Sequence, residues 1–151
     1  MRRFLKSFKY AANGIKSAFL SERNMRVHLL IAVLIVIFAY FFGLNKSEWA
    51  VLFLTIAMVF AAEMFNTAIE CTVNTATDEY KKSAMLAKDT AAGAVLVCAI
   101  FAVIVGFMLF FDIPRIISTL TYIFTTPHVL IVCITTGILG LIFVTGKCTK
   151  K

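Results

Sequence analysis

Between Trp49 and Asn74 the chain starts as an uninterrupted apolar run and turns polar on one side in its last third. Crossing a bilayer takes roughly 20 helical residues, so the run is long enough to span. Its polar residues are Glu63, Asn66, Glu70 and Asn74. At roughly 100° per residue they fall within about 80° of one another on a helix. A polar stripe on an otherwise apolar rod is costly inside a membrane; it faces a bundle interior and marks a working site.

The rest of the chain is of the same kind. Hydrophobic residues make up 61% of its 151 residues, above the roughly 45–50% of a soluble domain. The reading is an all-α integral membrane protein. Residues 1–24 form an amphipathic surface helix: Phe4, Leu5, Phe8, Ala11, Ala12, Ile15 and Phe19 recur at helical spacing between Arg3, Lys6, Lys9 and Lys16, as in helices that lie in the headgroup region. Spans follow at about 27–44, 49–70 and 91–111. A polar connector, 75–90, lies between the second and third. Asp112-Ile113-Pro114-Arg115 breaks the third, a moderately apolar connector follows, and a fourth span covers 128–146. The short loop at Asn45 to Glu48 leads into Trp49, an aromatic at headgroup level.

The net charge of +7 raises nucleic acid as a partner, but its distribution argues against one. The basic residues sit beside apolar runs, where anionic headgroups and topology explain them. With the N-terminus inside, thirteen of the fifteen Lys and Arg fall on the inner side, and only Lys46 and Arg115 outside. The positive-inside rule then puts both termini in the cytoplasm of a multi-pass cell-membrane protein. Glu70 and Asn74 lie at that interface, with Glu63 about two turns deeper. The four cysteines, Cys71, Cys98, Cys133 and Cys148, have neither disulfide-framework nor zinc-site spacing.

The stripe implies chemistry. A carboxylate below the headgroups loses solvation, which suits it to accept a proton from a lipid hydroxyl. Glu70, with Glu22 where the surface helix meets the first span, offers hard oxygen ligands for Mg²⁺, which needs only one or two carboxylates beside substrate phosphates. Lys88 and Arg3 are cations for those phosphates, and Asn66 can orient the glutamates. Phosphoryl transfer from a soluble nucleotide to a lipid hydroxyl uses all of these parts. Residue chemistry alone makes His28 a membrane-boundary marker and Lys81 and Lys82 topology charges. No GxxxxGK[ST], HRD or DFG motif occurs, which excludes a soluble kinase fold.

The run Glu63-Met-Phe-Asn66-Thr67-Ala68-Ile69-Glu70, then Glu79-Tyr80, and Ala87-Lys88-Asp89 ahead of Ala92-Gly93-Ala94, resembles the prokaryotic diacylglycerol kinase family, most closely its Gram-positive undecaprenol kinase branch. Phe8-Lys9-Tyr10-Ala11, Gly14 and Glu22-Arg23-Asn24-Met25-Arg26-Val27-His28 match upstream. The resemblance covers about residues 3–111. It implies a homotrimer of three-span bundles with a surface helix, a kinase domain over 1–111 and an extension over 112–151. It implies ATP and Mg²⁺ at the cytoplasmic interface, with Glu63 the proton acceptor and Asn66 in the active site. Glu22 and Glu70 would hold the metal with ATP. Arg3, Tyr10, Glu79, Tyr80, Lys81, Lys88 and Asp89 would contact the nucleotide. The family usually carries Asp at position 74 and His at 81, where this chain has Asn74 and Lys81.

The acceptor expected is undecaprenol, with diacylglycerol as the alternative. A different class, a small proton-coupled exporter, would account for four spans and a deep glutamate. It would have no use for Glu70, the Lys88-Asp89 pair or the basic surface helix.

Overall fold

The computed structural model describes residues 2–76 and 81–146, the side chains of residues 2 and 3 excepted. Those residues form six helices: α1 (Arg2–Ser21), α2 (Arg23–Phe42), α3 (Lys46–Ala76), α4 (Lys82–Phe110), α5 (Ile113–Thr125) and α6 (Pro127–Thr145). α2, α3, α4 and α6 are each long and apolar enough to cross a membrane, and the all-α membrane architecture follows. α1 keeps Phe4, Leu5, Phe8 and Ile15 exposed. It meets the bundle only near its end, where Ala18 is buried and Phe19 stands edge-on to Phe60 of α3 at 5.8 Å.

Local signals set each boundary. α2 ends on Gly43 in the left-handed region (φ 76°, ψ 50°), whose N–H donates to the Ala39 carbonyl, the usual glycine terminator. α3 opens on a capping box: Asn45 Oδ1 accepts from the Ser47 and Glu48 amides at 2.9 and 3.0 Å, and Glu48 Oε2 accepts from the Asn45 amide at 2.7 Å, which satisfies the free donors of a first turn. At the break after α4, Asp112 accepts from the Arg115 amide at 3.1 Å and Pro114 occupies the first turn of α5.

Two spans differ from the sequence reading. The connector read over 75–90 is helical at both ends, since α3 runs to Ala76 and α4 starts at Lys82. A helix leaving the membrane keeps its backbone bonded internally, so only its side chains need turn polar. The stretch after Asp112, read as a connector, is helix α5, with Thr119 and Ile123 buried on one side.

The chain runs α2 away from α1, α3 back, α4 away again and α6 back. α1, the end of α3, the start of α4 and the end of α6 therefore share one end of the bundle, here the polar end. At the opposite end Ala39, Phe42, Leu44 and Leu52 are buried beneath Phe38, Trp49, Leu109 and Phe110. Phe110 meets the Phe38 and Phe42 rings edge-on at 5.4 and 5.2 Å.

Two arginines tie the C-terminal helices to the two ends of α2. Arg26, 3% exposed, donates to the carbonyls of Phe19 (2.9 Å) and Leu20 (2.6 Å) at the end of α1, and of Phe143 (3.1 Å) and Gly146 (2.9 Å) at the end of α6. Hydrogen bonds to a charged group contribute about 1.5–3 kcal/mol each, and helix C-termini carry the partial negative charge a cation needs. At the far end Arg115 donates to the Gly43 carbonyl and lies 4.3 Å over the Phe42 ring.

Candidate active site

α3 carries the polar stripe from the membrane interior to the polar end. Its deepest member, Glu63, is 2% exposed. Glu63 Oε1 lies 3.2 Å from His28 Nε2 on α2, a side chain 23% exposed. The contact is an ion pair only with His28 protonated, and Oε1 has no hydrogen-bond partner among the described residues. The boundary-marker reading of His28 was therefore incomplete. What singles it out is its depth: it starts the second turn of α2 and meets α3 at the level of Glu63.

Asn66 donates from Nδ2 to Glu70 Oε1 at 3.5 Å, a long bond, while its buried Oδ1 has no partner among the described residues. Buried acceptors of this kind call for a donor, and a hydroxyl entering beside Glu63 would supply one. Asn66 also edges an apolar groove of about 220 Å³ between α3 and α4, lined by Met58, Phe65, Ala94 and Cys98. At the level of Asn66 the site is thus apolar towards α4, and at the level of Glu63 it meets an imidazole of α2. Its outermost member, Asn74, accepts from Lys88 Nζ at 2.5 Å, a contact between α3 and α4 at the position where the family usually has Asp.

Glu22 caps α2 by position but makes no side-chain cap bond, and it is half-buried, as is Glu70. Both stand close enough to Glu63 for their charges to act on it. Glu70 keeps one oxygen free of the Asn66 bond. Although the described residues gather no cluster of three or more potential metal ligands, two carboxylates are the number Mg²⁺ needs when phosphates and water complete its shell. Lys88 is half-buried and Asp89 exposed at the start of α4; Lys81, just ahead of it, is exposed, as is Tyr10 on α1. Arg3 lies in α1, but its side chain, like Glu79 and Tyr80, is outside the described residues.

The helix order brings Glu22, Glu63, Asn66, Glu70 and Lys88 towards one end of a helical membrane bundle, which defines an integral membrane protein with a polar cluster at one end of its spans. The model of the prokaryotic diacylglycerol kinase family matches residues 9–110. The undecaprenol kinase of Bacillus subtilis (strain 168) is 41% identical over 110 residues, 73% of this chain and 89% of that one. A diacylglycerol kinase of Synechocystis is 45% identical over 103 residues, 68% of this chain and 59% of its own length. The Escherichia coli K12 diacylglycerol kinase is 29% identical over 102 residues, covering 84% of it. The chain belongs to the prokaryotic diacylglycerol kinase family: it is a multi-pass membrane lipid kinase with ATP as phosphate donor. The family match stops at the last residue of α4, so α5 and α6 lie outside it.

Proposed function

We propose that this kinase transfers the γ-phosphate of ATP to the hydroxyl of undecaprenol, giving undecaprenyl phosphate, with Glu63 as the proton acceptor. The burial of Glu63 beside His28, with Glu22 and Glu70 less buried towards the polar end of the same helices, carries the reading. The choice of acceptor rests on likeness to the Bacillus subtilis enzyme, of which the chain covers 89%. Diacylglycerol is the second reading, favoured by the name of the Synechocystis relative, which is 45% identical.

In this scheme the acceptor hydroxyl enters beside Glu63. Its O–H bond breaks, the proton goes to a Glu63 carboxylate oxygen, and the alcohol oxygen bonds to the γ-phosphorus as the bond to the bridging oxygen of ADP breaks. Asn66 steadies Glu70 and offers its amide oxygen to the hydroxyl. Glu22 and Glu70 would hold Mg²⁺, which neutralises the phosphate charge when bound. Arg3, Tyr10, Glu79, Tyr80, Lys81, Lys88 and Asp89 form the nucleotide side, at the cytoplasmic face. Three copies assemble into a homotrimer; α4, whose buried residue is Ala91 alone, leaves an apolar face for neighbours and lipid.

Membranes carrying the kinase and γ-labelled ATP test this directly. Label should enter the organic phase only with Mg²⁺ present, faster with undecaprenol than with diacylglycerol, and stop on chelation. The reverse preference moves the acceptor to diacylglycerol. No transfer to any lipid alcohol, with proton-coupled flux instead, sinks the kinase assignment.

A further inference from the structure

We propose that the C-terminal extension is a working part of the kinase: through Arg26, a positioning residue, α6 fixes the corner between α1 and α2 that carries Glu22. This rests on reading Glu22 as a carboxylate of the MgATP site. The Arg26 amide follows Glu22 by one helical turn, donating to its carbonyl at 3.4 Å. Two of its guanidinium bonds close the end of α1, immediately before Glu22, and the other two close the end of α6. Phe143 of α6 adds its ring, 5.0 Å from the guanidinium carbon. One buried cation therefore serves two helix C-termini at once. Removing α6 takes away two of its four hydrogen bonds, both made by Nη1, and frees the group to swing out of the corner.

α6 is seated on α2 closely enough for this link to transmit. A Cβ at Gly140 would collide with the Leu30 side chain, whereas one at Gly137, a turn earlier, would meet nothing within 4 Å. The far end is secured separately by Arg115 on Gly43 and Phe42. A bulky side chain at 140 thus forces Leu30 or the polar end of α6 to shift, while Arg115 holds the start of α5. Leu30 and Arg26, one turn apart, both meet α6, whereas His28 between them in sequence turns to Glu63 on α3, so the two contacts use different faces of α2.

The test uses the full chain in membranes. Gly140→Val should raise the Mg²⁺ concentration for half-maximal activity by about fivefold or more, the low end for coupling between separate sites, and leave the KM for the lipid alcohol within about twofold of the parent. Amide exchange across residues 18–26 should speed up. Adding Leu30→Ala, which makes room for the valine, should restore both readouts, and Gly137→Val should change neither. Arg26→Lys keeps the charge but loses the fork, and should shift the Mg²⁺ requirement with α6 still in place. Unchanged exchange across 18–26 in Gly140→Val overturns the proposal, as does a shift in Mg²⁺ requirement for Glu22→Gln without one for Gly140→Val and Arg26→Lys. An unchanged Mg²⁺ requirement in Glu22→Gln instead removes the metal role of Glu22, leaving the exchange readout to judge the link.

Discussion

Among the described residues Glu63 meets one ionisable side chain, His28, and with Glu63 proposed as the proton acceptor the two should respond differently to substitution. Glu63→Gln preserves shape and removes the acceptor, so kcat should fall by roughly 10²–10⁴-fold with the KM for ATP little changed. Steady-state kinetics in mixed micelles decides it; a Glu63→Gln enzyme with normal turnover would end the assignment. His28→Ala removes the contact at 3.2 Å but not the carboxylate, so its loss should be smaller and vanish in the Glu63→Gln background, as for residues acting as a unit. Glu63, Asn66 and Glu70 were legible in the sequence because a carboxylate in an apolar helix has few ordinary explanations. His28 and Arg26 were not legible, because their partners lie on other helices. α2 is apolar nearly all round, so its sequence does not tell which side of it meets α3 or α6. The Lys88 contact with Asn74 was hidden for the same reason.

Along the elements, the presence of a turn between the first two spans was readable and the helix ends around it were not. The loop around Asn45 to Glu48 reads as a turn, but the sequence reading carries the first span past Gly43 to 44 and begins the second at Trp49. In the structure α2 stops at Phe42 on Gly43 and α3 starts at Lys46. α5 escaped notice because 13 residues are too few to span, although Asp112, Pro114 and the Thr119–Ile123 spacing carry the signals of a short capped helix. Gly43 is where these features meet, since its carbonyl takes the Arg115 bond and its φ of 76° suits no side chain well. Gly43→Ala should therefore cost about 1–2 kcal/mol, with further strain from a Cβ placed 3.4 Å from the Arg115 guanidinium. A lowered temperature of half-inactivation in detergent, with initial activity near the parent's, is the outcome expected. An unchanged temperature would mean that the far-end clamp does not limit stability.

For the whole molecule, the number of crossings and the placement of charge must agree. Arg26 binds the ends of both α1 and α6, so the first helix and the last described one finish at the same end of the bundle, as four spans require. Glu22, Glu63 and Glu70 are at that end too. ATP reaches them only if it is the cytoplasmic end, which the concentration of Lys and Arg there favours. In a chain with Cys71, Cys98, Cys133 and Cys148 replaced, Ser83→Cys near the start of α4 should react with a membrane-impermeant maleimide in inside-out vesicles and stay unlabelled in intact cells. Ser47→Cys, before α3, should do the opposite. Both positions are exposed at helix starts, so orientation rather than burial governs the result. The reverse pattern would put the acidic cluster on the outer surface, away from ATP, and no rearrangement of side chains could then rescue transfer to a lipid from the cytoplasm.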